Sequence, residues 1–466
     1  MRKQTDVKND KNVNFRVQNF AVPCKKSRTK KHVIYAQKSL GFIATPSGIK
    51  NGYAIKRLSA VNKQSSGDLI QFTVPEVPGK VLNKFSLFTA RVNGNAYNTL
   101  AMQTDDGLYG VPLYWTPNLT NWPSTPPRFN CFASGMANGQ NITFAGADDG
   151  LWLSLNGAAF QKTNVQCVPA EMLIFANRLF ILHSDRETVF FSAGLDLTDF
   201  AAGNELAGSF CPEANLGKIL GFGVYNGKVL LVRQYGFSSL DATFDPAGFN
   251  LTTLAHSYEE IIQGSAQTLG DSIIFATRGG LCRVTGGKVE LLDIEVTIPE
   301  GISETPSIVY ENKYYVALGD KITVIEKFFD SWSLIANTKV LAFAQVRNDE
   351  FSALAFINGT DGAVYQIEQS DTTETKTWES DWFNLTYAAG GQYLKQILVK
   401  TAYPVVLAVM NNKTVRRLAL NGNNDVRCVN LNLKGDMFKI VIETGEPHAD
   451  ITELSAVIGF NNRGAI

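Results

Sequence analysis

Four histidines are present, His32, His183, His256 and His448, and none stands at an i,i+4 spacing with a second ligand, so the helical zinc-hydrolase pattern is missing. The chain has no Gly-x-Ser-x-Gly elbow and no phosphate-cradling Gly-x-x-x-x-Gly-Lys-Ser/Thr loop. Acyl and phosphoryl transfer therefore have no recognisable machinery. Glycoside hydrolysis needs only two carboxylates flanking a sugar, and Asp185, Glu187, Asp196 and Asp199 lie close together in the sequence. Turn and cap roles account for them better. The acidic pairs Asp105-Asp106 and Asp148-Asp149 lack the ligand spacing of a calcium loop. The six cysteines, Cys24, Cys131, Cys167, Cys211, Cys282 and Cys428, are scattered without metal or redox spacing and read as reduced thiols. No catalytic residue, metal or cofactor is expected.

Binding chemistry is better represented than catalysis. The residues Lys25, Lys26, Arg28, Lys30 and Lys31 form a basic run within a lysine-rich, apolar-poor stretch, residues 1–35, expected to be a flexible arm that clamps DNA phosphates or an acidic protein surface. Formal net charge is zero, with 43 basic and 43 acidic residues, so the basic charge belongs to this arm and the rest of the chain is acidic. Trp122 sits in a proline-rich insertion near 115–128 that cannot be a central strand, because each proline removes a ladder donor, and it is a candidate partner contact. No apolar signal segment follows the first lysines and no apolar run is long enough to span a membrane as a helix, so synthesis in the cytoplasm and no membrane span are expected.

The elements that must carry these residues are strands. Within Phe175 to Phe200, two apolar runs, Arg178 to Leu182 and Thr188 to Ser192, flank the polar set from His183 to Glu187, a hairpin pattern. Similar hairpin arms start near Phe85, Asn141, Lys228, Ser272, Lys313 and Ser352, mostly spaced by roughly 40 to 50 residues, the length of a four-stranded propeller blade. Asp-Asp-Gly and Thr-Asp-Gly turns ending at Gly107, Gly150 and Gly362 supply the positive φ of tight hairpins. Small sheets with two apolar faces bury them by stacking around an axis. The expectation is an all-β chain, with a β-propeller of about six to seven blades over 36–370 and an antiparallel β-sandwich-like domain over 371–466.

One hairpin also resembles a known family. Asn177-Arg178-Leu179-Phe180, then Val189-Phe190-Phe191-Ser192, then Leu195 through Asp199-Phe200, is similar to a hairpin of the tail nozzle proteins of short-tailed bacteriophages, the packaged-DNA stabilisation and tubular tail proteins. Lys313-Tyr314-Tyr315 with Ser331-Trp332-Ser333, and Lys395-Gln396-Ile397 after Trp382-Phe383, resemble it as well, whereas Ala193 to Asp196 departs from the family's glycine-aspartate order. The resemblance implies a non-enzymatic virion protein of the tail, forming a ring, usually a hexamer. It implies as partners portal and adaptor proteins, tail fibres or spikes, and double-stranded DNA held without sequence specificity until ejection. Two other readings are open on the residues alone: a glycan- or receptor-binding propeller adhesin, using exposed aromatics such as Trp122 and Trp152, and a propeller glycosidase.

Overall fold

The computed structural model describes residues 10–461 apart from 19, 25–31, 46–47, 64–68, 74–80, 93–94, 106, 113–119, 122–126, 138, 195, 202–205, 244, 329, 348–350, 371–373 and 386–391. Among the described residues the regular structure is strand, with two single 3₁₀ turns, Ala214–Leu216 and Pro246–Gly248. Seven four-stranded antiparallel units of the described residues follow one another as blades, the first five as separate sheets and the last two continuous with the strands of two ten-stranded sheets. Blade 1 runs from strand Val81–Val92 to Thr120–Asn121, blade 2 from Phe129–Ala137 to Gln161–Lys162, and blade 3 from Pro169–Phe175 to Gly208–Phe210. Blade 4 runs from Ile219–Tyr225 to Asn250–His256, blade 5 from Gln267–Leu269 to Lys288–Leu291, and blade 6 from Ser307–Tyr310 to Ser331–Ile335. Blade 7 takes Val340–Arg347, Ser352–Asn358 and Val364–Ser370 from its own stretch and its fourth strand from Gly48–Arg57, near the start of the chain. The first strand of each blade lies against the first strand of the next, and that of blade 7 against that of blade 1, so the circle closes. The described residues form a seven-bladed β-propeller joined to a β-sandwich.

The second strand of each blade explains why the hairpin pattern was readable. It lies in mid-sheet with a neighbouring blade on either face, so it is buried on both sides: Lys228–Arg233, Ser272–Thr277 and Lys313–Leu318 are apolar almost without interruption. Fully burying each valine, leucine or isoleucine here contributes about 1.5–3 kcal/mol. Six of the seven hairpin units begin on or beside this second strand. The Phe85 unit falls instead in the first strand of blade 1, Val81–Val92, which pairs with Asn95–Thr104.

Turns between first and second strands also repeat. Ala176-Asn177, Asn226-Gly227 and Glu311-Asn312 all have two successive positive φ angles, the type I′ geometry that matches strand twist. Ala176 and Glu311 are the misfits in this set, because the Cβ of each crowds the carbonyl at a φ of 48°. Ala176→Asn is therefore expected to raise stability by about 0.5–1 kcal/mol, read from urea unfolding midpoints at an unchanged m-value.

The sandwich draws on both ends of the chain. One sheet orders Val33–Ile34, Asp10–Val17, Asp450–Asn461, Gln392–Thr401 and Val426–Gly435; the other orders Ala36–Leu40, Lys376–Ser380, Phe438–Thr444, Val405–Asn411 and Val415–Leu420. Trp378, Leu407, Ile397, Phe438 and Ile442 are fully buried between them. The expected division at residues 35 and 370 is accordingly different: Asp10–Val17 is a paired strand, Phe15, Phe20, Val22 and Cys24 lie in the core, and the propeller is inserted into the sandwich. The stretch expected to be an arm is corrected over these residues. Its apolar positions are few, but Phe15, Phe20, Val22, Cys24 and Ile34 all lie in the core shared with the C-terminal strands.

Candidate functional site

The inner strands of blades 2 to 5 begin at one end of the propeller axis, and there they surround a polar opening of about 280 Å³. Glu171, from the inner strand of blade 3, reaches the inner strand of blade 4, where its Oε1 accepts the Phe222 amide at 2.9 Å. Its other oxygen lies where a side chain at residue 221 would begin, 2.6 Å from an ideal Cβ, so glycine there makes room for the carboxylate. Arg186, in the loop between the second and third strands of blade 3, donates from Nη1 to the Leu220 carbonyl at 2.9 Å, and its own carbonyl accepts the Ile219 amide at 2.8 Å. Glu304 is exposed on the rim, and Gln267 donates to the Ser307 carbonyl at 3.2 Å. Glu171 and Arg186 thus tie blade 3 to blade 4. On the same face Tyr258 is 99% exposed, and the residue before it is held by Ser257 N donating to the Tyr235 carbonyl at 2.9 Å.

This arrangement suits recognition of a polar group more than proton transfer, since Glu171 is held in place by a backbone amide. Gly221→Ala is expected to displace Glu171 and cost about 1–3 kcal/mol through the unpaired Phe222 amide. In a Glu171→Ala background the same substitution should cost much less, and a double-mutant cycle on thermal stability measures the difference.

The residues singled out from sequence fall in three groups. Lys25, Lys26, Arg28, Lys30, Lys31 and Trp122 lie outside the described residues. The two flanks of the basic run are fixed: the Cys24 amide donates to the Asp330 carbonyl at 2.8 Å and its carbonyl accepts Asp293 N at 2.9 Å, while His32 packs edge-on to Phe15 at 5.3 Å. Trp152, weighed as an open aromatic platform, is half-buried against Phe129, and its Nε1 donates to Asp149 Oδ1 at 2.9 Å. Asp149 also binds Lys162 at 3.0 Å and Asp148 accepts from Asn130 at 2.7 Å, so this acidic turn is a hydrogen-bonding unit of blade 2.

Three of the four carboxylates considered for glycoside hydrolysis, Asp185, Asp196 and Asp199, are spent on turns, and Glu187 is exposed. Asp185 Oδ1 accepts the amides of Glu187 and Thr188 at 2.8 and 2.9 Å, and Asp196 Oδ1 accepts the Thr198 amide and hydroxyl at 2.9 and 2.7 Å. Asp199 Oδ1 accepts the Ala201 amide at 2.9 Å. Neighbouring His183 accepts the Val168 amide at Nδ1, 3.1 Å away, and meets Phe190 edge-on. The hydroxyl and amide of Thr198 hold the Asp196 carboxyl below the ordinary aspartate range; for Asp185, partial burial acts upward but the Thr188 hydroxyl and two amides outweigh it. Both folded pKa values are depressed, so their stabilisation is complete above the ordinary aspartate value, ~4, and disappears as pH falls from there through the lower folded values. Asp185→Asn and Asp196→Asn variants are expected to lose part of the acid-induced drop in melting temperature between about pH 5 and pH 2.

Among the described residues no group of three or more histidines, cysteines or carboxylates is placed to hold a metal ion, and the described cysteines are free thiols. No helix of the described residues is long and apolar enough to cross a membrane. Sequence reasoning missed Glu171, Arg186 and Glu304. The available signal was a lone charge at the head of an otherwise apolar inner strand, as in the run Ala170-Glu171-Met172-Leu173.

No protein-family model matches the chain, and no curated protein matches it. Solved structures do. The extracellular domain of the one-component system BT4673 from B. thetaiotaomicron is 8% identical over 76% of this chain, with a TM-score of 0.42, and the chain spans 46% of that domain's length. The Neurospora crassa Pan2 WD40 domain is 8% identical, covering 62% of this chain and 89% of its own length at a TM-score of 0.40. The N-terminal domain of Nup159 is 11% identical, covering 63% and 97%, at a TM-score of 0.38.

Proposed function

We propose that the chain is a non-enzymatic structural protein of a virion tail, a nozzle that assembles as a ring of identical copies beneath portal and adaptor proteins and continues the path of double-stranded DNA. The observation that carries this reading is the blade 3 hairpin, whose residues resemble those of tail nozzle proteins and act there as one unit. Arg178 is buried and donates from Nη1 to the Ser192 carbonyl at 2.8 Å and also to the Leu206 carbonyl; the Leu179 amide donates to Ser192 Oγ at 2.9 Å. Ring assembly needs a surface that repeats head to tail. Val415–Leu420 and Val426–Gly435 are outermost strands of the two sandwich sheets, each with one paired side, and they carry the exposed Val415 and Val426. Open strand edges of this kind are where a neighbouring copy adds. DNA retention would be electrostatic and independent of sequence.

Light scattering with negative-stain imaging tests the reading, on the protein alone and with a portal-adaptor complex. Rings in either condition are expected. A chain that stays monomeric in both sinks the nozzle reading and leaves the second one, a glycan- or receptor-binding propeller, which the exposed Tyr258 after the outer strand of blade 4 favours.

A further inference from the structure

A second cavity, of about 330 Å³, lies between blades 6 and 7, away from the axial opening. It sits where Gly48–Arg57 leaves the sandwich to become the closing strand of the propeller, since Ile49 pairs with Ile451 and Tyr53 with Gln369. Its size falls in the range of small-molecule sites, ~300–1,000 Å³, and junctions between structural units are where such sites concentrate. Tyr310, Tyr315 and Phe351 give it aromatic walls, while Glu311, Glu368 and Gln369 bring polar groups to its edge. Tyr315 is 4% exposed and Tyr310 and Phe351 are half-buried, so the rings are held by packing.

We propose that this cleft binds a neutral pyranose ring, with the sugar's C–H face against the aromatic walls and its hydroxyls on Gln369, Glu311 and Ser352. Aromatic walls with a few convergent polar groups admit two ligand chemistries, a sugar or an organic ammonium. The charges here favour the sugar. Glu368 is already ion-paired with Lys56 and accepts Gln366 Nε2 at 3.2 Å, so its charge is met within the protein. The cation–π position over Tyr53 is already taken by Lys313, whose Nζ is 5.8 Å from the ring centroid. What is left for a ligand is the exposed Gln369 carboxamide, the Tyr310 hydroxyl 3.4 Å from Ser352 Oγ, and one carboxylate, Glu311, which faces the Tyr310 phenol and can accept from sugar hydroxyls. Burial, with Glu311 adding to it, holds the Tyr310 and Tyr315 phenols above their ordinary range, so both stay neutral donors. The proposal is independent of ring assembly, which is read by particle size.

Saturation-transfer NMR on the full chain tests it, with methyl β-glucopyranoside, methyl β-galactopyranoside, N-acetylglucosamine and tetramethylammonium as probes. Saturable transfer to ring protons of at least one sugar is expected, weakened about tenfold by Gln369→Ala, the loss of about 1.4 kcal/mol of hydrogen bonding. Ser352→Ala, an exposed position, is a second variant with an expected loss in the same direction, and an unchanged melting curve shows that both variants fold. No saturable transfer from any sugar overturns the proposal. So does transfer that both variants leave unchanged, or displacement of the sugar by tetramethylammonium.

Discussion

A chain lacking residues 1–24 is expected to lose the sandwich as a cooperative unit. Asp10–Val17 pairs along most of its length with Asp450–Asn461, from Asp10 opposite Asn461 to Arg16 opposite Ser455. Phe15, Phe20 and Val22 are 3%, 2% and 1% exposed, and burial of each contributes about 1.5–3 kcal/mol. Their sum rivals the entire net stability of a domain, ~5–15 kcal/mol. Val22–Pro23 also pairs with Ser331–Trp332, so the deletion frees the outer edge of blade 6 as well. Thermal melting by near-ultraviolet circular dichroism, with limited proteolysis, reads the outcome: early cleavage within 376–461 is expected. A truncated chain with the melting temperature of the full one would show that the N-terminal strands are dispensable.

Trp378→Ala is the single substitution with the largest expected cost. The indole is fully buried, its ring centroid is 5.6 Å from that of Phe20, and its Nε1 donates to the Phe20 carbonyl at 2.9 Å. Removing it leaves a cavity, about 3–5 kcal/mol for a large aromatic, and orphans a buried carbonyl. Trp378→Phe keeps much of the packing and should cost less, which separates the two contributions. Both are measured by urea unfolding at constant m-value. A loss for Trp378→Ala below about 1 kcal/mol would contradict the packing described. The partner carbonyl belongs to the N-terminal strap, so the substitution and the deletion should be strongly non-additive.

How much of this was legible depended on whether the deciding information was local. Blade hairpins were readable because their second strands are buried on both faces, which forces runs such as Val229-Leu230-Leu231-Val232 into the sequence. Asp185 and Asp196 were readable as turn residues for the same reason, since the amides they bind lie two or three positions away. The N-terminal strands were not readable. Phe15, Phe20 and Val22 stand among lysines and asparagines, and their partners lie at the other end of the chain, so local composition suggested an arm. Glu171 and Gly221 escaped for a related reason: their pairing joins neighbouring blades and leaves no periodic trace. The Tyr310 and Phe351 cleft likewise assembles from two blades and the closing strand.

The fourth strand of blade 7 also sets a timetable. Ser59, just past the end of that strand, donates its amide to Gln366, 307 residues further along the chain. At a synthesis rate of ~5–20 residues per second, roughly 15–60 s separate the emergence of the two partners from the ribosome. Blades 1 to 6 can form in turn behind the moving end, because each is local in sequence. Gly48–Arg57 must wait as an unsatisfied edge until Val364–Ser370 appears, and Asp10–Val17 waits longer still. Closure of the ring of blades is then a late, non-local step of high contact order, followed only by the seating of Asp10–Val17 against Asp450–Asn461 in the sandwich.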